Sequence, residues 1–124
     1  MTGKFQSAEI LNRLFDAIES RRGGDPDSSY TAKLLAGGTE KIAQKVGEEA
    51  VEAVIEAVCG GDGKLAEESA DLLYHLLVLW ADKGVRPEKV WGVLAGRFGL
   101  SGINEKNSRE KDQGDELRQR EYFR

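Results

Sequence analysis

Five carboxylates stand out in this sequence because they form two groups with helical spacing. Glu48, Glu49 and Glu52 form the first group, and Glu68 and Asp71 form the second. At about 100° per residue, the first three share an arc of roughly 100° on one helix, and the second pair shares one side of the next helix. Carboxylates without cysteine or histidine partners are the ligands that Mg²⁺ or Mn²⁺ prefers. The spacing therefore indicates a site for a divalent cation.

The same glutamates also fit a second interpretation, the solvated face of an amphipathic helix. Against it, like charges four residues apart, such as Glu48 and Glu52, destabilise an isolated helix by about 0.2–0.5 kcal/mol per pair. Lys41 and Lys45 precede the glutamates, and this charge order is the less favourable one for a helix. From the residues alone, both interpretations remain open.

The segment before the first acidic group suggests which ligand would accompany the cation. Gly37-Gly38-Thr39 would leave free backbone N–H groups at the start of a helix, and Lys41 and Lys45 follow on that helix. These donors suit a polyphosphate. The alternative is that the two glycines only end one helix and Thr39 caps the next.

The elements that must position these residues are all helices. The apolar spacing predicts an all-α fold, an antiparallel bundle of four to five helices. The predicted helices cover about residues 8–20, 30–36, 39–59 and 65–81, and a last one from Pro87 to near Gly99. Ser7, Ser29 and Thr39 are the candidate N-caps. A short glycine-rich turn at residues 60–63 makes the two long helices antiparallel neighbours, so both acidic groups can face one groove.

Length and composition restrict the class of protein. A chain of 124 residues with 40% hydrophobic and 32% charged residues predicts one globular domain, which we place at residues 1–103. Residues 104–124 form a highly charged C-terminal tail, whose first part, residues 104–109, could close over the site. The net charge of −4 argues against a nucleic-acid partner.

The single cysteine, Cys59, cannot form an intramolecular disulfide, which fits a cytoplasmic protein, and no apolar run is long enough to cross a membrane. We interpret Cys59 as a small apolar filler, and Trp80 and Trp91 as anchors in the core or a dimer interface. His75 follows Asp71 by one helical turn. It is either a hydrogen-bonded core residue or a group that supports the metal ligands from behind.

Three stretches of the chain closely resemble the phosphoribosyl-ATP pyrophosphohydrolase family of histidine biosynthesis. They run from Ser29 to Glu52, from Glu68 to His75 and from Arg97 to Arg109. The pattern E-E-x-x-E followed by E-x-x-D belongs to the wider all-α nucleoside triphosphate pyrophosphohydrolase superfamily. That pattern is therefore specific for the chemistry, whereas the flanking segments carry the resemblance in substrate.

The resemblance implies a homodimer that hydrolyses phosphoribosyl-ATP to phosphoribosyl-AMP and pyrophosphate, through a water molecule that Mg²⁺ activates against the α–β phosphoanhydride. Mn²⁺ is a substitute cation. The implied metal ligands are Glu49, Glu52, Glu68 and Asp71, with Glu48 as an accessory ligand. Glu48 or Glu52 would orient the water. The candidate phosphate contacts are Lys33, Lys41, Lys45, Arg97, Lys106 and Arg109.

Two other functions fit the same residues. A housekeeping pyrophosphatase for nucleoside or deoxynucleoside triphosphates would share the metal ligands and differ in its base pocket. A non-catalytic helical metal-binding bundle is the more distant alternative. A ferritin-like iron site is disfavoured, because it needs Glu-x-x-His pairs on two helices and the chain has one histidine.

Overall fold

The computed structural model describes residues 6–61 and 63–98, and these contain five α-helices and no strand. The helices are α1 (Glu9–Ser20), α2 (Tyr30–Gly37), α3 (Thr39–Cys59), α4 (Lys64–Lys83) and α5 (Pro87–Arg97). This confirms the predicted all-α class and all five predicted helices. The chain divides into two compact units after Pro87, with α1–α4 in the first and most of α5 in the second. The predicted boundary at residue 103 and the charged tail lie outside the described residues.

Helix α4 is the centre of the first unit, because α3 packs along it, α1 packs on it, and α2 contacts both long helices. Its apolar core is made of Phe15, Ile18, Leu34, Ile42, Leu77, Val78 and Ala81. Full burial of a side chain of this size stabilises a fold by roughly 1.5–3 kcal/mol. The core residues of the two long helices come from the start of α3 and the second half of α4. The middle of α3 and the first half of α4 contribute no residue to this buried core.

The antiparallel arrangement of α3 and α4 is visible at that core end. The Thr39 hydroxyl at the start of α3 donates a hydrogen bond of 2.5 Å to the Asp82 carboxylate near the end of α4. The prediction that Thr39 is the N-cap is wrong by one residue. Gly38 holds the N-cap position with φ of +96°, a conformation that glycine adopts without strain, and no side chain caps this helix.

The other two predicted caps have different outcomes. Ser29 is confirmed, since its Oγ accepts a hydrogen bond of 3.1 Å from the backbone N–H of Ala32. Ser7 is not the cap of α1, because Ala8 holds that position and no side chain caps the helix there. The Ser7 hydroxyl instead accepts from the Glu9 N–H at 3.3 Å, one residue too early for a cap.

Two further predictions concern single side chains. Cys59 is exposed at the last residue of α3, so the prediction that it fills apolar space is wrong. The C-terminal end of α3 extends beyond the core, and nothing among the described residues covers the thiol. Trp80 packs against the core cluster, as predicted. None of the described helices combines the length and the apolar character that a membrane crossing needs.

Replacing Ser29 tests whether its N-cap hydrogen bond stabilises α2. We expect Ser29→Ala to lower the free energy of unfolding by about 1 kcal/mol, because it leaves a backbone N–H of the first turn without its acceptor. Urea denaturation followed by circular dichroism measures the change. Ser28→Ala is the matched control, since the Ser28 hydroxyl does not cap the helix and only approaches the Asp25 carbonyl at 3.4 Å. Equal losses in both variants would contradict the assignment.

Candidate active site

Away from the buried core, the α3–α4 pair brings together carboxylates from both predicted groups. Glu49 from α3 and Glu68 and Asp71 from α4 each offer one oxygen, and these three oxygens lie within 4.8 Å of one another. Glu49 and Glu68 are partly buried, and Asp71 is exposed. The antiparallel packing produces this group, since residues near the middle of α3 lie opposite the first half of α4. We call Glu49, Glu68 and Asp71 the carboxylate cluster.

Electrostatic repulsion in the cluster is concentrated on Glu68. Burial raises the pKa of the Glu68 carboxyl, and the charges of Glu49 and Asp71, then Glu52 and Glu56, raise it further. Four other carboxylates therefore act on one side chain. A hard cation would relieve this repulsion, and an all-oxygen donor set of this kind fits Mg²⁺ or Mn²⁺.

The other two predicted metal ligands lie outside the cluster. Glu48 is turned towards its own helix, where its carboxylate accepts from the Gln44 amide at 2.9 Å and pairs with the Lys45 ammonium at 3.4 Å. These two hydrogen bonds, in that order, lower the pKa of Glu48. Glu52 acts on Glu68 through its charge, but within residues 6–61 and 63–98 it makes neither a hydrogen bond nor an ion pair.

Lys45 is the candidate phosphate ligand that lies closest to these carboxylates. Its ammonium is 3.4 Å from a Glu48 oxygen and 3.7 Å from a Glu49 oxygen, and its side chain is partly buried. Lys41 is exposed one turn earlier on α3, and its charge contributes to the lowered pKa of Glu48. Lys33 is exposed on α2. Arg97 is the last residue of α5, in the second unit, and Lys106 and Arg109 lie outside the described residues.

At the Gly37-Gly38-Thr39 segment, the structure supports the helix-stop interpretation. Gly37 ends α2, and Gly38 is both the C-cap of α2 and the N-cap of α3. The Asp82 carboxylate is bonded to Thr39 there, so a protein anion already lies at the positive end of the α3 dipole. The negative charge of Asp82 would therefore oppose the binding of a phosphate at this helix start.

The single histidine links the cluster to α2. His75 is 6% exposed; its Nδ1 lies 2.8 Å from the Asp71 backbone oxygen and its Nε2 lies 3.0 Å from the Tyr30 hydroxyl. A carbonyl oxygen only accepts, so we assign the proton of the neutral ring to Nδ1, and Nε2 then accepts from Tyr30. The prediction of a hydrogen-bonded core histidine is confirmed. Its bond to Asp71 reaches the backbone and not the carboxylate.

Comparison with known proteins adds the family. The model of the phosphoribosyl-ATP pyrophosphohydrolase family matches residues 11–98. The chain belongs to this family. It is 62% identical to a protein of Azospirillum brasilense, over 84% of this chain and 94% of the relative. It is also 62% identical to one of Paramagnetospirillum magneticum, over 86% and 97%, and 56% identical to one of Gluconobacter oxydans, over 86% and 80%. All three are named phosphoribosyl-ATP pyrophosphatase.

Membership of the phosphoribosyl-ATP pyrophosphohydrolase family confirms the resemblance on which the sequence-based identification rested, and with it the prediction that the chain is an enzyme. The matched residues include all five predicted carboxylates, the three lysines of α2 and α3, and Arg97. Lys106 and Arg109 lie beyond the match. Their predicted phosphate contacts stay predictions.

Two residues near the cluster escaped the sequence analysis. Glu56 contributes to the raised pKa of Glu68, and its position one turn after Glu52 was a signal for it. Tyr30 gave no such signal. It reaches His75 from a different helix, and helical spacing within α4 says nothing about which side chain of α2 lies opposite.

The repulsion on Glu68 predicts that removing its charge changes the stability of the metal-free protein. We expect Glu68→Gln to raise the free energy of unfolding of the metal-free protein at neutral pH, because the raised pKa makes the charged form less favourable in the folded state. This gain should disappear as the pH falls through the folded-state pKa of Glu68 to below its ordinary value, where the carboxyl is protonated in both states. Denaturant titrations across pH measure it.

The control for this prediction is Glu67→Gln, at an exposed glutamate of the first turn of α4 that is outside the carboxylate cluster. Removing that charge loses a favourable interaction with the helix dipole and should not stabilise the protein. A gain from Glu68→Gln that persisted unchanged in acid would contradict the assignment of the effect to charge repulsion.

Proposed function

We propose that the protein hydrolyses phosphoribosyl-ATP to phosphoribosyl-AMP and pyrophosphate in histidine biosynthesis. The observation that carries the proposal is the carboxylate cluster, in which three oxygens from α3 and α4 lie within 4.8 Å. It occurs in a chain of this family, whose relatives are named for that activity. In the reaction, an oxygen of water bonds to the α phosphorus, the α–β bridging bond breaks, and pyrophosphate leaves.

Mg²⁺, or Mn²⁺ as a substitute, is the cation that the donor set fits, and Glu49, Glu68 and Asp71 would hold it with Glu52 beside them. When bound, the cation supplies neutralising charge for the phosphates and a lower pKa for water. The repulsion on Glu68 supports this assignment, since like charges held close together are costly unless positive charge is nearby.

Glu52 is the better of the two candidates for orienting the attacking water. A general base needs an oxygen that can accept a proton, and both Glu48 oxygens already accept hydrogen bonds from Gln44 and Lys45. The lowered pKa of Glu48 also makes it the weaker base. Glu52 is exposed to water, and its charge acts on Glu68 of the cluster.

Lys45 is the residue that we assign first to the polyphosphate. Its ammonium lies beside Glu48 and Glu49, and it can exchange these contacts for phosphate oxygens when a cation occupies the cluster. Lys41 is exposed one turn before Lys45, and it would provide a second positive charge towards the start of α3. Lys33, Arg97, Lys106 and Arg109 complete the proposed set of phosphate contacts.

Charge-neutral variants of the cluster test the catalytic proposal. We expect Glu49→Gln and Glu68→Gln each to lower kcat/KM for phosphoribosyl-ATP at least about 100-fold with Mg²⁺, and to weaken Mg²⁺ binding measured by calorimetry. Glu52→Gln should lower kcat more than Mg²⁺ affinity. Glu67→Gln is the matched control and should keep the wild-type rate. Folded variants that hydrolyse the substrate at the wild-type rate would refute the catalytic role.

The substrate is tested separately from the metal site. Product analysis of phosphoribosyl-ATP turnover should give phosphoribosyl-AMP and pyrophosphate, and not inorganic phosphate. A panel of nucleoside and deoxynucleoside triphosphates should be hydrolysed with much lower kcat/KM. A clear preference for deoxynucleoside triphosphates would instead identify a housekeeping pyrophosphatase with the same cluster.

We also propose that the protein is a homodimer, joined through the outer face of α3 and α4. Val51, Val54, Ile55 and Val58 are between 47% and 77% exposed on α3, and they lie on the side opposite the buried Ile42. Leu65 and Leu73 add 42% exposed side chains on α4. Such a row of large apolar residues is characteristic of an interface. A second copy offers the same apolar face, which makes the contact self-complementary.

A charge on this face tests the homodimer. We expect Val54→Asp and Val58→Asp to shift the protein from dimer to monomer in light scattering coupled to gel filtration, because an unpaired carboxylate would be buried between the copies. Ile10→Asp is the control, since Ile10 is 41% exposed on α1 and outside this face. A monomeric wild-type protein would contradict the proposal.

A further inference from the structure

Tyr30 is a half-exposed aromatic residue whose ring is nevertheless held from several sides. It is the first residue of α2, and 51% of its surface is exposed. The Tyr74 ring is stacked beside it, with centroids 6.2 Å apart and an interplanar angle of 23°. The His75 ring meets it edge-on at 5.9 Å, and the Tyr30 hydroxyl donates to the Nε2 atom of His75 at 3.0 Å. The side chain of this half-exposed residue is therefore held by its contacts with Tyr74 and His75.

Tyr30 is held about one helical turn beyond the carboxylate cluster. His75 lies one turn after Asp71 on α4, and Lys45 lies one turn before Glu49 on antiparallel α3, so both are one turn beyond the cluster in the same direction. Tyr30 is bonded to His75 at this level. The hydrogen bond with Glu48 and then the nearby Tyr30 phenol raise the pKa of Lys45, which also places the phenol close to that lysine.

A purely structural role does not account for the exposed ring. His75 is buried, and both of its ring nitrogens are hydrogen-bonded, one of them to the Tyr30 hydroxyl. This bond fixes the orientation of the Tyr30 side chain, although Tyr30 itself is half exposed. Rigid aromatic rings of this kind provide contact area at low cost in conformational entropy. Beside a site for phosphate and metal, the flat part of a nucleotide is the group with which such a ring can stack.

We propose that Tyr30 is a substrate contact of this site, whose ring stacks on the purine base, and that His75 is the positioning residue that orients the ring. The inference rests on the proposed function, since it assumes a purine nucleotide at the carboxylate cluster. The polyphosphate then lies along Lys45 and the cluster, and the base lies on the α2 side. Selection of the base would thus come from α2 and not from the helices that carry the carboxylates.

Substitutions at Tyr30 separate the ring from its hydroxyl. We expect Tyr30→Leu to raise KM for phosphoribosyl-ATP about 10-fold, with kcat changed by less than about twofold, because a base–aromatic stack is lost while the cluster stays intact. Inhibition by inorganic pyrophosphate, which has no base, should be unchanged. Tyr30→Phe keeps the ring and lacks only the hydroxyl that bonds to His75, so it should raise KM to the same extent as His75→Leu.

The positioning role of His75 has its own pair of variants. In His75→Gln the side-chain amide oxygen can still accept from the Tyr30 hydroxyl, whereas His75→Leu leaves that hydroxyl without its acceptor. We therefore expect His75→Leu to raise KM as Tyr30→Leu does, and His75→Gln to restore it towards wild type. A double variant with Tyr30→Leu should show no additional loss. Equal KM in the Gln and Leu variants would refute the positioning role.

Binding of AMP measured by calorimetry tests the stacking without turnover. Weaker AMP binding in Tyr30→Leu with unchanged pyrophosphate inhibition supports the proposal. An unchanged KM and unchanged AMP binding would overturn it, and so would an equal loss of affinity for AMP and for pyrophosphate, which would show a general distortion of the site. A wild-type protein that does not hydrolyse phosphoribosyl-ATP refutes the proposed function instead, and the AMP titration still decides on Tyr30.

Discussion

Repulsion between carboxylates of two neighbouring helices is the constraint on which the rest of this structure depends. Glu49, Glu68 and Asp71 lie within 4.8 Å of one another, with Glu52 and Glu56 acting on Glu68 as well. Such an arrangement opposes the packing of α3 on α4. The helix pair is held together elsewhere, by the apolar core around Ile42 and Val78 and by the hydrogen bond between Thr39 and Asp82. Stability and chemistry are thus placed at opposite ends of the same pair.

His75 lies where these two ends meet. It follows the cluster residue Asp71 by one turn and precedes the core residue Val78 by one turn, so it is buried and at the same time close to the carboxylates. Both ring nitrogens find partners, one within α4 and one on α2. Removing either partner would leave a buried polar atom unpaired, which costs more than the net gain from a typical hydrogen bond. The same histidine therefore ties α2 to α4 and holds a side chain at the edge of the cluster.

The helices and the pairing of acidic residues were predictable because they depend on local spacing. Apolar residues at intervals of three and four positions specify α3 and α4, and the short connection at residues 60–63 specifies their antiparallel order. Contacts that depend on tertiary placement were not predictable. Thr39 is of a residue type that often caps helices, but its hydroxyl donates to Asp82 of a different helix, α4. Cys59 was predicted to fill apolar space at a helix end, whereas the end of α3 leaves its side chain exposed.

The same distinction separates the chemistry of the site from its choice of substrate. The carboxylates come from one pair of helices, and their spacing can be recognised in any sequence that keeps it. In the proposed complex, by contrast, the purine would be bound by groups that lie beside that pair, and the neighbouring element is α2, which contacts both long helices. The position of Tyr30 depends on the cap at Ser29, on the glycine turn at Gly38 and on a hydrogen bond to His75. None of those three features involves a carboxylate side chain, so in the function proposed above α2 would set which nucleotide is bound, while α3 and α4 would hold the cation.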